Sequence, residues 1–244
     1  DKFLAERVEQ IIKTTGLPAL RAAPRKVGRA ADPFSVFVTP TDLHYGKFGW
    51  KDEVGAEEYS REECHRRLMA TTDAMLDRVN RFGKPEQFIV GAGSDWFHID
   101  NEVNGGSTTR GTPQDTDGTY ARIFLEGGEL QCAYIARLRE VAPVVVRPMR
   151  GNHDYQTSLA VSVWIRERFR ADDHVDVSIS PAPRQYLEVG NTIVGITHGE
   201  DVKDIKLPGL MATEARNMWS HTKHRLWFTG HWHTQITNEY NGVR

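Results

Sequence analysis

No stretch of this sequence reaches the roughly 18 consecutive apolar residues of a bilayer-spanning helix, so no membrane partner is expected. No signal-peptide pattern is visible either. Cysteine is scarce: Cys64 and Cys132 are the only two. They lie far apart in helix-like stretches, which argues against a disulfide framework and makes a reducing cytoplasm the expected compartment. Both read as small core residues. An excess of one charge is also missing. A formal charge of −2 carries no nucleic-acid footprint, although a local basic groove fits within a neutral total. Internal repeats and low-complexity tracts are absent. What is present is 244 residues, 39% of them hydrophobic. That suffices for one sizeable core and one α/β domain. The chain begins at Asp1 rather than at a methionine, so a trimmed or partial chain is expected, with a further domain upstream or downstream.

Residues 1–16 have Phe3, Leu4, Val8, Ile11 and Ile12 at helical spacing. Gly16, Pro18, Pro24 and Gly28 then interrupt a basic stretch, and 17–32 reads as a linker. It is either a solvated connector or an arm that touches nucleic acid. The catalytic body is expected over 33–244. Strands are predicted at Ser35–Val38, Gln87–Val90, Val144–Val146, near 174–179, 185–189 and 192–197, and at Leu226–Phe228. Helices are predicted over 56–82, 119–140, 157–170 and 210–222. This alternation specifies an α/β fold. Several strands run into clusters of Asp, Asn or His, and open α/β folds gather ligand sites at the carboxyl ends of strands.

The clusters carry the chemistry. In T-D-L-H, Asp42 and His44 are two apart, and extended backbone would point both to one side and offer a cation one oxygen and one nitrogen. In G-H-W-H, His231 and His233 have the same spacing, with Trp232 facing away. Either pair alone is weak, because such pairs also occur incidentally. G-N-H-D at 151–154 is sharper. Asn152 offers a neutral amide oxygen, His153 can face a substrate as proton donor, and Asp154 can hold that imidazole in one orientation. The same tetrad also suits a polar loop. Asp95 follows the second strand with a carboxylate able to bridge two cations. His198 follows a later strand in T-H-G-E, where a lone histidine is more often structural. Taken together, the donors are nitrogen and oxygen without thiolate, a set that suits Mn²⁺, Fe or Zn²⁺ better than Ca²⁺ or a structural zinc site.

The order D-x-H, G-x-D, G-N-H-D, H, G-H-x-H resembles the calcineurin-like metallophosphoesterase superfamily, over residues 34 to about 235. The resemblance implies a four-layered α/β/β/α sandwich with two divalent metal ions, most often Mn²⁺, with Fe, Zn²⁺ or Mg²⁺ as alternatives. By the same resemblance Asp42, His44 and His233 would bind one metal, and Asn152, His198 and His231 the other. Asp95 would bridge them, and His153, supported by Asp154, would protonate the leaving oxygen. Two departures stand out. Ser94 occupies the place directly before the bridging Asp where the family usually has glycine. The chain also ends at Arg244, soon after the last motif, so a second sheet short of C-terminal strands is expected. D-L-H-Y-G-K and S-D-W-F-H are similar to blocks of the double-strand-break repair nucleases of this superfamily. The segment from His98 to Asp115 resembles phage and prophage phosphoesterases.

The expected activity is hydrolysis of a phosphoester, with DNA or RNA as the favoured substrate. A phosphomonoesterase and an inactive binding module of the same fold are the alternatives. Trp96, His98 and Arg150 are expected substrate contacts, while Tyr45, Trp50 and Trp232 are further candidates for stacking or lining a cleft. Lys47 and Arg110 could hold phosphates, although solvated surface charge is the plainer reading of Arg110. The polar stretch after Asp95 reads as a lid, a substrate-binding loop or a mobile surface loop.

Overall fold

The computed structural model describes residues 20, 22–24, 27, 28, 30, 32–55 and 57–244. The helix expected over 1–16 lies outside the described residues. Seven strands form two sheets. In the first, β1 (Ser35–Val38), β2 (Gln87–Gly93), β3 (Val144–Met149) and β4 (Val175–Val177) lie in that order, all parallel. In the second, β5 (Arg184–Val189) pairs antiparallel with β6 (Thr192–Thr197), which pairs parallel with β7 (His224–Thr229). The described residues also form six helices: α1 (Lys51–Val54), α2 (Arg61–Asn80), α3 (Tyr120–Arg139), α4 (Tyr155–Arg168), α5 (Leu207–Glu214) and α6 (Arg216–His221). No helix among the described residues is long and apolar enough to cross a membrane.

Strand alternation divides the interior in two. Val38, Phe88, Val90, Ala92, Val144 and Val146 face the helices, where they pack with Leu68 and Leu76 of α2, Ile135 and Leu138 of α3 and Trp164 of α4. The intervening residues Phe37, Ile89, Val145 and Met149 turn to the other side and meet Leu187, Val194, Ile196 and Phe228 of the second sheet. The Phe37 and Phe228 rings stack at 3.8 Å. The far side of the second sheet contacts α5, through the Trp227 indole N–H to the Leu207 carbonyl at 3.2 Å and the Tyr186 hydroxyl to Glu214 at 2.7 Å. Cys64 and Cys132 are buried and unpaired, and burial pushes the Cys64 thiol up to about 11.

Local chemistry sets the ends of the long helices. Ser60 accepts the Glu63 N–H and starts α2 at Arg61, later than the expected 56. Thr119 caps α3 in the same way. The expected helix over 210–222 is two helices, because Ala215 leaves helical geometry at φ −109° and ψ 36°. Within the proposed linker, Leu20 and Val27 pack against the core and the Gly28 carbonyl accepts the Lys84 N–H at 2.7 Å. These residues are held on the body and are not a free connector. Arg61, almost fully buried, ties α2 to Glu126 on α3 and to Asp117, and so anchors the far end of the long connection between β2 and α3.

Candidate metal centre

The loops that follow the strands are stitched to one another through the backbone. The Ser94 N–H bonds the Met149 carbonyl at 2.8 Å, and the Asp42 N–H bonds the Ser94 carbonyl at 2.8 Å. The His44 N–H bonds the Asp95 carbonyl, and the Gly230 N–H bonds the His198 carbonyl, each at 2.9 Å. Glycine is required where these loops touch. A Cβ at Gly151 would lie 2.0 Å from an Asp95 carboxylate oxygen, and one at Gly230 would lie 3.0 Å from Asp42.

Asp42, His44, Ser94, Asp95, His231 and His233 all take left-handed backbone, with φ between 49° and 74°. The only other described non-glycine residues there are Asn104 and Asn241. Each such residue costs about 1 kcal/mol or more and persists only where its surroundings over-determine it. Convergence therefore does not come from strand alternation, which was the expected reason for Asp42 and His44. It comes from turns that aim each side chain separately.

Three groups of ligand-type atoms result: one is His44, His98 and His153, all nitrogen, and the other two combine nitrogen with oxygen. The ligand-type atoms of Asp42, His44 and His233 lie within 4.8 Å of one another, as do those of Asp95, His198 and His231. His233 falls in the first of these two groups and His231 in the second, the division that the resemblance implies. In the second group the Asn152 amide oxygen lies 2.9 Å from His198 Nε2 and 3.1 Å from His231 Nδ1, and Asp95 Oδ2 lies 3.3 Å from His198 Nε2. In the first, His44 Nε2 and His233 Nε2 are 3.3 Å apart, with Asp42 Oδ1 3.5 Å from His233 Nε2. Nitrogen and oxygen atoms gathered at these distances could hold a metal ion in each group.

Neighbouring groups set which ring nitrogen faces inward. Ser94, fully buried, puts its hydroxyl 2.7 Å from His198 Nδ1, which leaves His198 Nε2 for Asn152 and Asp95. His98 Nδ1 lies 3.2 Å from His44 Nδ1, which leaves His44 Nε2 for His233 and Asp42. Burial first, and the His153 charge second, push His44 down to about 3. Burial and the His44 charge do the same to His98. Burial thus favours the neutral form of both rings, the form in which a histidine can ligate a metal. Burial opposes ionisation of Asp95, but its contact with His198 and the His153 N–H hold its carboxyl below the usual range. The reciprocal contact raises His198.

Several expected roles change. Asp154 does not hold the His153 ring. Fully buried, it accepts the N–H groups of Gly151 (2.9 Å), Phe97 (3.1 Å) and Asp95 (3.3 Å), so it ties the second and third strand-end loops together. His153 Nδ1 instead meets the His98 carbonyl at 2.9 Å. Burial, then the Asp95 charge, push Asp154 up to about 7, against the opposing pull of the Phe97 and Gly151 N–H groups. Trp96 has 0% exposure and donates to the Gly127 carbonyl, so it is core and cannot stack on a substrate. His98 is buried, with its Nδ1 3.2 Å from His44 Nδ1 and its ring stacked 5.3 Å from that of His153. Arg150 stacks 3.5 Å from the Tyr155 ring centre and bonds Tyr155 and Pro181, turned to its own loop. Trp232 is 59% exposed, lies 5.1 Å from the His231 ring and lines the same groove as Asp42 and His233. Ser94 carried a sequence signal, the departure from glycine, but its contact with His198 was not foreseen.

Two concavities flank the centre. A cleft of about 310 Å³ is floored by Asn152 and His153. A larger groove of about 1090 Å³ runs from Asp42 and His233 along β7. The larger is not the one over His153, and the position of the donors identifies the chemistry better than size does. No family model matches the chain, and no match is found among curated proteins.

Two outcomes test these contacts. Asp154→Ala leaves three buried N–H groups without partners, each worth about 1–3 kcal/mol, so denaturant unfolding should show a loss of about 3 kcal/mol or more. A stability within about 0.5 kcal/mol of wild type would return Asp154 to a role confined to the His153 ring. Ser94→Ala and Ser94→Gly should both bind a second Mn²⁺ about 10–100-fold more weakly in calorimetric titration. Glycine relieves the left-handed strain but restores no partner for His198. Unchanged affinity in both variants would remove the orienting role.

Proposed function

We propose that this chain is a phosphoester hydrolase that works with two divalent cations and cleaves phosphodiesters of DNA or RNA. Mn²⁺ is the first choice of metal, with Fe, Zn²⁺ or Mg²⁺ as alternatives. The observation that carries the reading is the pair of nitrogen–oxygen donor groups set beside Asp95, with the His153 ring 4.6 Å from the ring of His44. The order of the motifs, which resembles the calcineurin-like metallophosphoesterases, supports it. So does the layering, with helices outside each of two facing sheets, which fits the α/β/β/α sandwich of that superfamily.

Asp42, His44 and His233 would hold one cation, and Asn152, His198 and His231 the other, with the Asp95 carboxylate between them. When bound, the pair supplies Lewis acidity that makes water nucleophilic near neutral pH and offsets charge on the phosphate oxygens. The chain's own residues do the rest. The His98 carbonyl accepts from His153 Nδ1, which fixes the ring and leaves Nε2 to carry the exchangeable proton. As the P–O bond breaks, that proton passes to the departing oxygen and His153 is left neutral. The concavities on both sides of the centre favour a diester with chain running in two directions over a compact monoester. The complete ligand set argues against an inactive binding module.

His153→Ala should keep its bound Mn²⁺ and lose about 10²–10⁴-fold in kcat on esters with poor leaving groups, and far less on nitrophenyl esters. Equal losses on both would remove the general-acid role. The wild-type protein with Mn²⁺ should hydrolyse bis-p-nitrophenyl phosphate faster than p-nitrophenyl phosphate. The reverse order would make it a phosphomonoesterase.

A further inference from the structure

The connection after Asp95 forms a fixed wall. The Asp100 N–H bonds the Ser107 carbonyl at 2.8 Å, and the Gln114 N–H bonds the Gly106 carbonyl at 3.0 Å. The Asp100 carboxylate accepts the N–H groups of Gln156 and Thr157 at the start of α4 and the Thr109 hydroxyl. The Thr109 N–H bonds the carbonyl of Asn152, one of the proposed ligands, at 3.2 Å, and Thr109 Oγ1 accepts the Tyr155 N–H. A surface loop free to move would not be bonded to the backbone of the centre at two points.

Arg110 stands at the tip of this wall. The Gly111 N–H closes the turn onto the Thr108 carbonyl at 2.8 Å, and the Thr108 N–H bonds the Thr112 carbonyl at 3.0 Å. Arg110 lines the 310 Å³ cleft together with Asn152, His153, Thr108, Thr112 and Gln114. It makes no hydrogen bond or ion pair among the described residues. Among the described residues Glu200 is the one acidic residue lining the cleft, and it is not bonded to Arg110. The cleft therefore has one cationic side chain to attract an anion, exposed and uncommitted on a backbone turn that is itself bonded to the centre.

We propose that Arg110 binds a phosphate that flanks the scissile one, so the preferred substrate carries phosphates in series. This rests on the phosphodiesterase reading and deepens it. A guanidinium offers paired donors to a phosphate, and Thr108 and Thr112 line the same cleft, while the Gln114 amide is bonded to the Thr112 and Pro113 carbonyls. Arg150, the other arginine near the motifs, is committed to Tyr155 and Pro181 and does not compete. A flanking phosphate occurs in a polynucleotide and in a nucleoside polyphosphate, and the substrates below separate the two.

With Mn²⁺, wild type should show a KM for the phosphorylated dinucleotides pTpT or TpTp about tenfold below that for TpT, which has no flanking phosphate. Arg110→Ala should abolish the difference and leave kcat, and hydrolysis of bis-p-nitrophenyl phosphate, unchanged. Arg110→Lys should keep part of the preference. With chelator present, anisotropy of a labelled single-stranded oligonucleotide should show a log–log salt slope lower by roughly 1 in Arg110→Ala. Hydrolysis of ADP without any preference among the dinucleotides would assign the site to polyphosphates and overturn the polynucleotide assignment. A wild type that cleaves bis-p-nitrophenyl phosphate but does not distinguish TpT from its phosphorylated forms would overturn the subsite alone. A wild type inert on every ester would overturn the phosphodiesterase reading and the subsite with it.

Discussion

Electron-rich groups crowd one point in this protein, and the rest of the structure is arranged to hold them there. An amide oxygen, carboxylate oxygens and imidazole nitrogens approach each other at 2.9–3.5 Å between loops that start on different strands. Each neutral imidazole carries one N–H and one lone pair, so these contacts can close as hydrogen bonds, and the same nitrogens and oxygens could instead hold a metal ion. Burial favours the neutral form of His44 and His98, the form that has a lone pair to offer.

Holding the donors in place has a conformational cost. Six residues at the centre sit in left-handed backbone, which adds up to several kcal/mol at about 1 kcal/mol or more each. The stitching between loops offsets it. Asp154 gathers three backbone N–H groups, Asp100 fixes the start of α4, and Arg61 holds the far end of the long connection. Behind these stand two apolar layers, one between the sheets and one beneath the long helices. Rigidity of this kind suits a site that must present charge in a set geometry before substrate arrives.

Much of the fold was legible because its signals are local. Val144–Val146 and Thr192–Thr197 are apolar runs of the length a buried strand needs, and the long helices carry both helical periodicity and capping residues. The break at Ala215 was not legible, since nothing in the residues from Leu207 to His221 marks it. The proposed ligands were legible as types, because Asp, Asn and His at strand ends have few other reasons to cluster. Their aim was not. Spacing of two suggested strand alternation for Asp42 and His44, whereas left-handed turns do the aiming. The roles of Trp96, His98, Arg150 and Asp154 depend on which neighbour each one meets across the fold, and no single sequence carries that. Ser94 is the intermediate case: the sequence marked it as unusual, and only the contact with His198 gave a reason.

The most direct test is diffraction from crystals soaked in Mn²⁺, recorded where manganese scatters anomalously. Two peaks should stand about 3.5–4 Å apart on either side of the Asp95 carboxylate, one among Asp42, His44 and His233 and the other among Asn152, His198 and His231. No peak at saturating Mn²⁺, or one located away from Asp95, would contradict the account.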